Sequence, residues 1–286
     1  MRVMEEEIEA SGLRALVLGS GPAGLFAAEA CVQSGFETAI ISKSREPSVI
    51  GGAQFLHQHV PGVTRERPDG TLRFILRGER SGYAQKVYGR PDAPVSFEYY
   101  EDGDYPAWDL RDAYSTLWGR HAGRVVPVGL SPHMLRATLE EWKPDFVANT
   151  VPRKAICWSN VADPNEQTSC TFTDQEVAVV PTAMVGGENV IVYNGNENPA
   201  WYRSANIFGR GSTEWSMIIG KKPPVDDVRI IRKPLHTTCR CWPNLLHVGR
   251  YGKWDKHILS DDGYFGTIEE IKRVHHLGTA EMESMV

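Results

Sequence analysis

The sequence predicts an α/β protein: a parallel sheet with helices, and an inserted, mainly antiparallel β domain. Two observations carry this. Residues 13–42, LRALVLGSGPAGLFAAEACVQSGFETAIIS, read as strand, glycine turn, helix, strand, which is the rhythm of a parallel sheet. Between Ile156 and Trp242 the pattern changes to CTFTDQEVAVVP, NVIVYNG, WYRSANIFG and VRIIRKPLHTT, alternating or β-rich runs separated by Gly, Asn and Pro. The expected division is 12–154 for the first part of the α/β domain, 155–242 for the β-rich insertion and 243–276 for a last strand and helix.

Composition is that of an ordinary globular chain. Of 286 residues, 41% are hydrophobic and 23% charged, which suits one large domain or two modest ones. A net charge of −5 offers no general attraction to nucleic acid and argues against a polymer substrate, although a local basic groove would be hidden in that sum. No window approaches the length of a membrane span, and a run of three glutamates, Glu5–Glu7, stands before the first apolar run, so a cytoplasmic location without membrane contact is expected. Five cysteines without framework spacing read as free thiols.

The elements follow in order. Ala15–Leu18 form the first strand. Gly19, Ser20, Gly21, Pro22, Ala23 and Gly24 then supply G-x-G-x-x-G. The first glycine permits a tight turn, the second admits a pyrophosphate to the backbone, and the third lets the helix pack on the strand. The helix N-terminus offers free N–H groups to an anion. Gly35 closes the helix, and Thr38–Ile41 form the second strand. A Rossmann-like unit is therefore expected.

The second strand ends in Ser42, Lys43, Ser44 and Arg45 where an acid usually meets the adenosine ribose. Ser42 can hydrogen-bond a ribose hydroxyl, whereas Lys43 and Arg45 suit a 2′-phosphate, as in NADP sites. Gly51 and Gly52, followed by Ala53 and Gln54, favour FAD instead, because the long FAD fingerprint brings a double glycine close to the cofactor. Residues 60–107 and 159–170 read as loop-rich. Asp109–Ala122 and Pro132–Trp142 read as helices. Phe146–Ala148 form a strand broken by Thr150 and Pro152, in the form that crosses under FAD in flavoproteins. Leu245–Val248 read as the last strand. Gly249, Arg250, Tyr251, Gly252, Lys253 and Trp254 follow, then a helix capped by Ser260 or Asp261.

The order GSGPAG, IGGAQ, DFVANTVP, VGRYGKWD resembles FAD-dependent oxidoreductases of the glutathione-reductase-like and amine-oxidase-like group. The closing piece and NPAWYRSANIF are similar to UDP-galactopyranose mutases, and the chain also resembles flavoproteins encoded by actinobacteriophages. The resemblance implies a Rossmann-like FAD-binding domain. It implies FAD contacts from Gly19, Gly21, Pro22, Ala23, Gly24, Ser42, Lys43 and the Gly51–Gln54 stretch. It implies further contacts from Thr150, Pro152, Gly249, Arg250, Tyr251, Gly252 and Trp254.

Candidates for chemistry are few. His57 and His59 follow the double glycine, and in an extended chain their imidazoles point opposite ways. Arg203 and Arg250 can bind a carboxylate or phosphate or offset charge on reduced flavin; the plain alternative is a salt bridge. Tyr202, Tyr251 and Trp254 can stack on a ring or pack in a core. Cys239 and Cys241 have the wrong spacing for a zinc pair and lack a second pair, so no metal is expected.

Three functional readings follow. The first is an FAD-dependent oxidoreductase oxidising a C–N or C–H bond of a small or nucleotide-like substrate. The phage resemblance extends it to thymine hypermodification, with a lyase acting on an aminoacylated base in DNA. The second is a redox-neutral, flavin-dependent mutase acting on a sugar nucleotide. The third is a non-catalytic nucleotide-binding protein.

Overall fold

The computed structural model describes residues 12–95, 104–161, 168–220, 223 and 225–283. The N-terminal glutamates, and parts of the two stretches expected to be loops, lie outside the described residues. In chain order the first elements are β1 (Arg14–Leu18), α1 (Pro22–Gln33), β2 (Glu37–Ser42), β3 (Gly70–Gly78), α2 (Arg80–Tyr88), β4 (Asp104–Ala107), α3 (Leu110–His121), β5 (Val125–Pro127) and α4 (Pro132–Trp142). They are followed by β6 (Phe146–Asn149), β7 (Phe172–Val180), β8 (Val190–Gly195), β9 (Trp201–Ile207), β10 (Arg210–Ser216), β11 (Arg229–Thr237), β12 (Leu246–His247), α5 (Gly249–Lys253) and α6 (Asp262–Glu283).

The chain forms two compact units. One comprises Met1–Ser48, Tyr114–Phe172 and Thr237–Val286; the other comprises Val49–Ala113 and Thr173–His236. This differs from the expected 12–154, 155–242 and 243–276. Residues 49–113 group with the β-rich part because β3 pairs in parallel with β8, from Arg73 opposite Val190 to Gly78 opposite Gly195. The ends of the expected insertion stay with the first unit, where the Trp242 indole donates to the Ile156 carbonyl at 2.7 Å and the Thr238 amide to the Thr171 carbonyl at 3.1 Å.

The first unit is built on a five-stranded, wholly parallel sheet in the order β12-β6-β1-β2-β5. Four of the five β1 residues are buried, as expected of a strand covered on both faces. Leu16 and Leu18 pack with Ile41, Val147 and Leu135 of α4. Helix α1 packs on β1, β2 and β6, and its small residues from Gly24 to Cys31 are all buried. Pro22 starts it at a position that needs no N–H. Ser34 caps it, and Gly35 follows in the left-handed region at φ 84°. Ser131 caps α4, its side chain accepting from the Met134 amide at 3.2 Å.

The second unit holds a seven-stranded sheet in the order β11-β7-β10-β9-β8-β3-β4. The pairs β7–β10, β10–β9, β9–β8 and β3–β4 are antiparallel and β3–β8 is parallel. The loop-rich expectation for 60–107 is corrected here: β3, α2 and β4 lie within it. Strand β3 buries Leu72 and Phe74 while Thr71, Arg73 and Ile75 face out, a period of two that TLRFI displays. Strand β10 had no apolar alternation to reveal it. Its buried Ser212, Thr213 and Ser216 are instead satisfied by hydrogen bonds. The Thr213 hydroxyl donates to the Thr182 carbonyl at 2.7 Å, and the Ser216 hydroxyl to the Lys86 carbonyl at 2.5 Å. Lys86 is itself buried and donates to the carbonyls of Asn194, Pro199 and Trp201, tying the β8–β9 connection to α2.

Helices α1 and α3 are joined by a buried acid. Glu29 accepts from Arg120 at 2.6 Å, Gln33 at 3.0 Å and His121 Nε2 at 2.7 Å. Burial opposes ionisation of Glu29, but the His121 and Gln33 hydrogen bonds and the Arg120 charge outweigh it and lower its pKa below 4.5. A lowered carboxylate pKa stabilises the fold above the unfolded value, here about pH 4.5, and the contribution disappears as pH falls through the folded value. Glu29→Ala leaves His121 and Arg120 without this acid, and urea denaturation at pH 7 is expected to show a loss of about 3 kcal/mol. The difference between the two proteins should narrow below pH 4.5.

Candidate functional site

The glycine turn leaves β1 at its C-terminal end. Gly19 has φ 104°, in the left-handed region, and its amide donates to the Ile41 carbonyl at 2.7 Å. A side chain on Gly24 would collide with the Gly19 carbonyl, so α1 rests on the turn backbone to backbone. Gly21 is different. It is the N-cap of α1, in extended geometry, and a Cβ there would meet nothing within 4 Å. No side chain caps this helix and its first turn carries no acid. The amides of Ala23 and Gly24 therefore have neither an intrahelical acceptor nor a side-chain cap. This cradle of backbone donors suits a diphosphate.

The strand order makes the same position a crevice. From β1 the chain runs through α1 to β2 on one side, and β6 lies on the other. Ligands of open α/β sheets bind at the carboxyl ends of strands where the order reverses in this way. Thr150 closes the crevice floor: its hydroxyl donates to the Leu18 carbonyl at 2.7 Å. Pro152 is exposed just beyond it. The Asn149 amide lies 3.0 Å from His247 Nδ1 across β6 and β12. Burial, and then the Arg153 charge, lower the His247 pKa to about 4, so its ring is neutral at pH 7. Asn149 and His247 escaped the sequence reading because each sits inside a short apolar strand.

At the end of β2, the Ser42 hydroxyl lies 2.6 Å from the Ser20 hydroxyl, and Tyr114 donates to the Ser20 carbonyl at 3.0 Å. Lys43 and Arg45 are exposed. Tyr114 was another residue that local pattern could not single out, since it is an ordinary member of α3.

The last strand runs into the site as well. Gly249 has φ 70°, and a Cβ on it would stand 2.6 Å from that of Ala23 in α1. The Gly249 amide donates to Asp262 at 2.8 Å, and Lys253 reaches the other oxygen of that carboxylate at 2.7 Å. Asp262, at the start of α6, thus supplies a carboxylate to the glycine turn. Side chains on Gly252 and Gly263 would strike the carbonyls of Asn149 and Ala23. Arg250 is half-buried at the start of α5, and its Nε donates to the Ile258 carbonyl at 3.3 Å. Tyr251 is exposed. Trp254 is buried edge-on to Phe172 at 5.2 Å.

The remaining candidates lie in the second unit. Gly52 has φ 74°, and its carbonyl accepts from Arg111 at 2.5 Å. The Gln54 amide donates to the Gly51 carbonyl at 2.6 Å. The Ala53 amide donates to Ser212 at 2.9 Å, and its carbonyl accepts from Arg203 at 2.9 Å. Arg203 also meets Glu214 at 3.2 Å, while Lys233 meets the other Glu214 oxygen at 2.5 Å. Burial opposes the Glu214 charge, but Lys233 and Arg203 outweigh it and hold the acid at about 2. Tyr202 packs in the core against Tyr83 at 6.0 Å; burial, and then Glu214, push its phenol well above the ordinary range. His59 Nδ1 is engaged by its own loop, 2.9 Å from the Thr64 hydroxyl and 3.0 Å from the Arg65 carbonyl. His57 is half-buried against Phe55, with ring centroids 4.3 Å apart.

Arg203 thus supports the double-glycine loop from β9. Arg203→Ala removes a buried partner of Glu214 and the donor to Ala53, and chemical denaturation is expected to show a loss of about 3 kcal/mol. Arg203→Lys is expected to recover only part of it, because an ammonium cannot reproduce the guanidinium fork.

No family model and no curated protein matches the chain. Among solved structures, reduced UDP-galactopyranose mutase is similar at 12% identity and a TM-score of 0.56, covering 93% of this chain and 94% of that one. The tetrameric form of 2-methyl-3-hydroxypyridine-5-carboxylic acid oxygenase is similar at 11% identity and a TM-score of 0.48, covering 92% and 88%. A flavoprotein/dehydrogenase from Cytophaga hutchinsonii is similar at 14% identity and a TM-score of 0.47, covering 89% and 75%. The likeness to the mutase, at this identity, is one of fold: this chain has the α/β architecture with a parallel sheet and a separate, mainly antiparallel sheet.

Proposed function

We propose that the first unit binds FAD and that the chain is an FAD-dependent oxidoreductase acting on a C–N or C–H bond of a small or nucleotide-like substrate. The observation that carries this reading is the open Gly21 position at the uncapped N-terminus of α1, at the carboxyl edge where the strand order reverses. The backbone amides of the first turn of α1 hold the cofactor diphosphate, and the tight Gly24 contact keeps them aimed at it. Ser42 stands at the position of the ribose-binding acid, and exposed Lys43 and Arg45 add positive charge beside it. When bound, FAD supplies a hydride acceptor. A cytoplasmic setting accords with five cysteines of which none is in a disulfide, and no described helix is long and apolar enough to cross a membrane.

A second reading is a redox-neutral mutase on a sugar nucleotide, favoured by the fold likeness to reduced UDP-galactopyranose mutase. Turnover only after chemical reduction of the cofactor would select it; oxygen-dependent reoxidation after substrate addition would select the oxidoreductase. The finer reading, a lyase acting on an aminoacylated thymine in phage DNA, rests on the sequence resemblance. It requires DNA binding that weakens steeply with salt.

The cofactor itself is tested first. Purified protein is expected to be yellow, or to bind added FAD in preference to NADP with saturable quenching of flavin fluorescence. A colourless protein that ignores FAD overturns the proposal, and preference for NADP returns the site to Lys43 and Arg45. Two glycine variants locate the site. Gly21→Ala is expected to fold like the parent but to bind FAD about tenfold or more weakly, because the new methyl occupies the diphosphate approach. Gly24→Ala is expected to lose both binding and stability, because its methyl strikes the Gly19 carbonyl.

A further inference from the structure

Four of the five cysteines converge in the first unit. Cys157 follows β6 and a short 3-10 turn, Cys170 precedes β7, and Cys239 and Cys241 follow β11. Their sulfur atoms all lie within 4.8 Å of one another. Cys157 is 3.6 Å from Cys241 and 3.5 Å from Cys239, and Cys170 is 3.8 Å from Cys241. Cys157, Cys239 and Cys241 are buried and Cys170 is half-buried.

These distances discriminate between three arrangements. A disulfide needs a sulfur–sulfur distance of about 2.05 Å, and none of the five cysteines is in one. Packed thiols can touch pairwise at similar distances, so the telling feature is that all four sulfurs converge within 4.8 Å of one another. A tetrahedral ion with metal–sulfur bonds of about 2.3 Å gives sulfur–sulfur edges of about 3.8 Å, close to the contacts seen. The surroundings suit the same ion. Trp158, Phe172 and Trp242 pack around the sulfurs, with Trp158 stacked on Trp242 at 5.6 Å, which keeps water away. The Ser159 amide donates to Cys157 at 3.4 Å, and the Thr168 hydroxyl lies 3.3 Å from Cys170 and 3.5 Å from Cys241. Donors of this kind stabilise thiolates and orient them.

We propose that Cys157, Cys170, Cys239 and Cys241 form a closed tetrathiolate site for a thiophilic divalent ion, with Zn²⁺ its expected occupant. The expectation of no metal took Cys239 and Cys241 as a pair with the wrong spacing for zinc and without a second pair. The fold supplies Cys157 and Cys170 as the other two ligands, from more than 65 residues away in sequence. Four thiols lose their protons on binding, and the ion's two charges offset half of the resulting four, which the adjacent amide and hydroxyl donors further disperse. With four sulfurs the ion has no position left for substrate, so the site is structural. Cys170 and Cys239 stand three residues outside the Thr173–His236 segment, one on each side, and Thr171 and Thr238 are hydrogen-bonded between them. The ion therefore clips together the two ends of that segment. It closes a long loop in the unfolded chain and opposes unfolding in the manner of a cross-link.

The site is independent of the FAD reading and is tested on the full chain without any assay of activity. Elemental analysis of protein purified under reducing conditions is expected to give about one zinc per chain, retained through dialysis. Protein stripped under denaturing conditions and refolded with Co²⁺ is expected to show the intense visible bands of tetrahedral cobalt thiolate. Cys170→Ser, which alters the most exposed ligand, is expected to shift and weaken those bands and to lose at least about tenfold in affinity for Co²⁺. Cys31→Ser, at the buried thiol of α1, should keep full metal content. A chain that binds neither zinc nor cobalt while remaining folded overturns the proposal. So does intact-mass evidence, from protein prepared under reducing conditions, of a disulfide among the four.

Discussion

Among the glycines of the first unit Gly24 has the least room: a Cβ there would stand on the carbonyl of Gly19. Much else depends on it. The contact sets the first turn of α1 on the end of β1, and with it the direction in which the helix amides point. Gly252 and Gly263 repeat the device against the carbonyls of Asn149 and Ala23, and Gly249 leaves room for the Ala23 methyl, which brings α5 and α6 against Ala23 and the end of β6. A helix N-terminus held by backbone on several sides has little freedom to rotate. A diphosphate site made only of N–H groups needs that rigidity, because it has no flexible side chain with which to adjust.

The acids of this protein do the complementary task. Glu29 in the first unit and Glu214 in the second are buried, and each is met by two cationic or imidazole partners. Neither is arranged as one half of a general acid–base pair, because strong partners keep each ionised. Asp262 likewise organises the Gly249 turn and Lys253. This accords with chemistry carried by a cofactor, in which the protein contributes orientation and electrostatics.

Legibility followed the range of the interaction. The β1–α1–β2 unit could be read because its glycines, apolar strands and small-residue helix lie within about thirty residues of one another and each has a local steric reason. Helices α3 and α4 and strands β7, β8, β9 and β11 were legible from their periodicity. Strand β3 was hidden in a stretch read as loop, although Leu72 and Phe74 alternate correctly with Thr71, Arg73 and Ile75. Strand β10 was hidden for a better reason: four of its five buried positions are polar, with the Thr213 and Ser216 hydroxyls bonded to backbone carbonyls, so polarity concealed a central strand. Tyr202 and Arg203 looked like pocket residues from their neighbours; burial and partners place one in the core and commit the other to Glu214 and Ala53.

By itself, the sequence determined the α/β class, the glycine turn that heads α1 and the glycine that ends the last strand. Each depends on steric rules that act over a few bonds: a left-handed φ, a missing Cβ, or a proline at the head of a helix. Only the tertiary structure decided which segments belong together. The parallel pairing of β3 with β8 assigned residues 49–113 to the second unit, and the return of the chain after β11 placed Cys239 and Cys241 against Cys157 and Cys170. Strand pairing couples residues well over a hundred positions apart in that case, Arg73 with Val190 for example, and the convergent sulfurs are separated by as many as 84. No window of local sequence carries such information, because it resides in the register between distant strands and not in either strand alone.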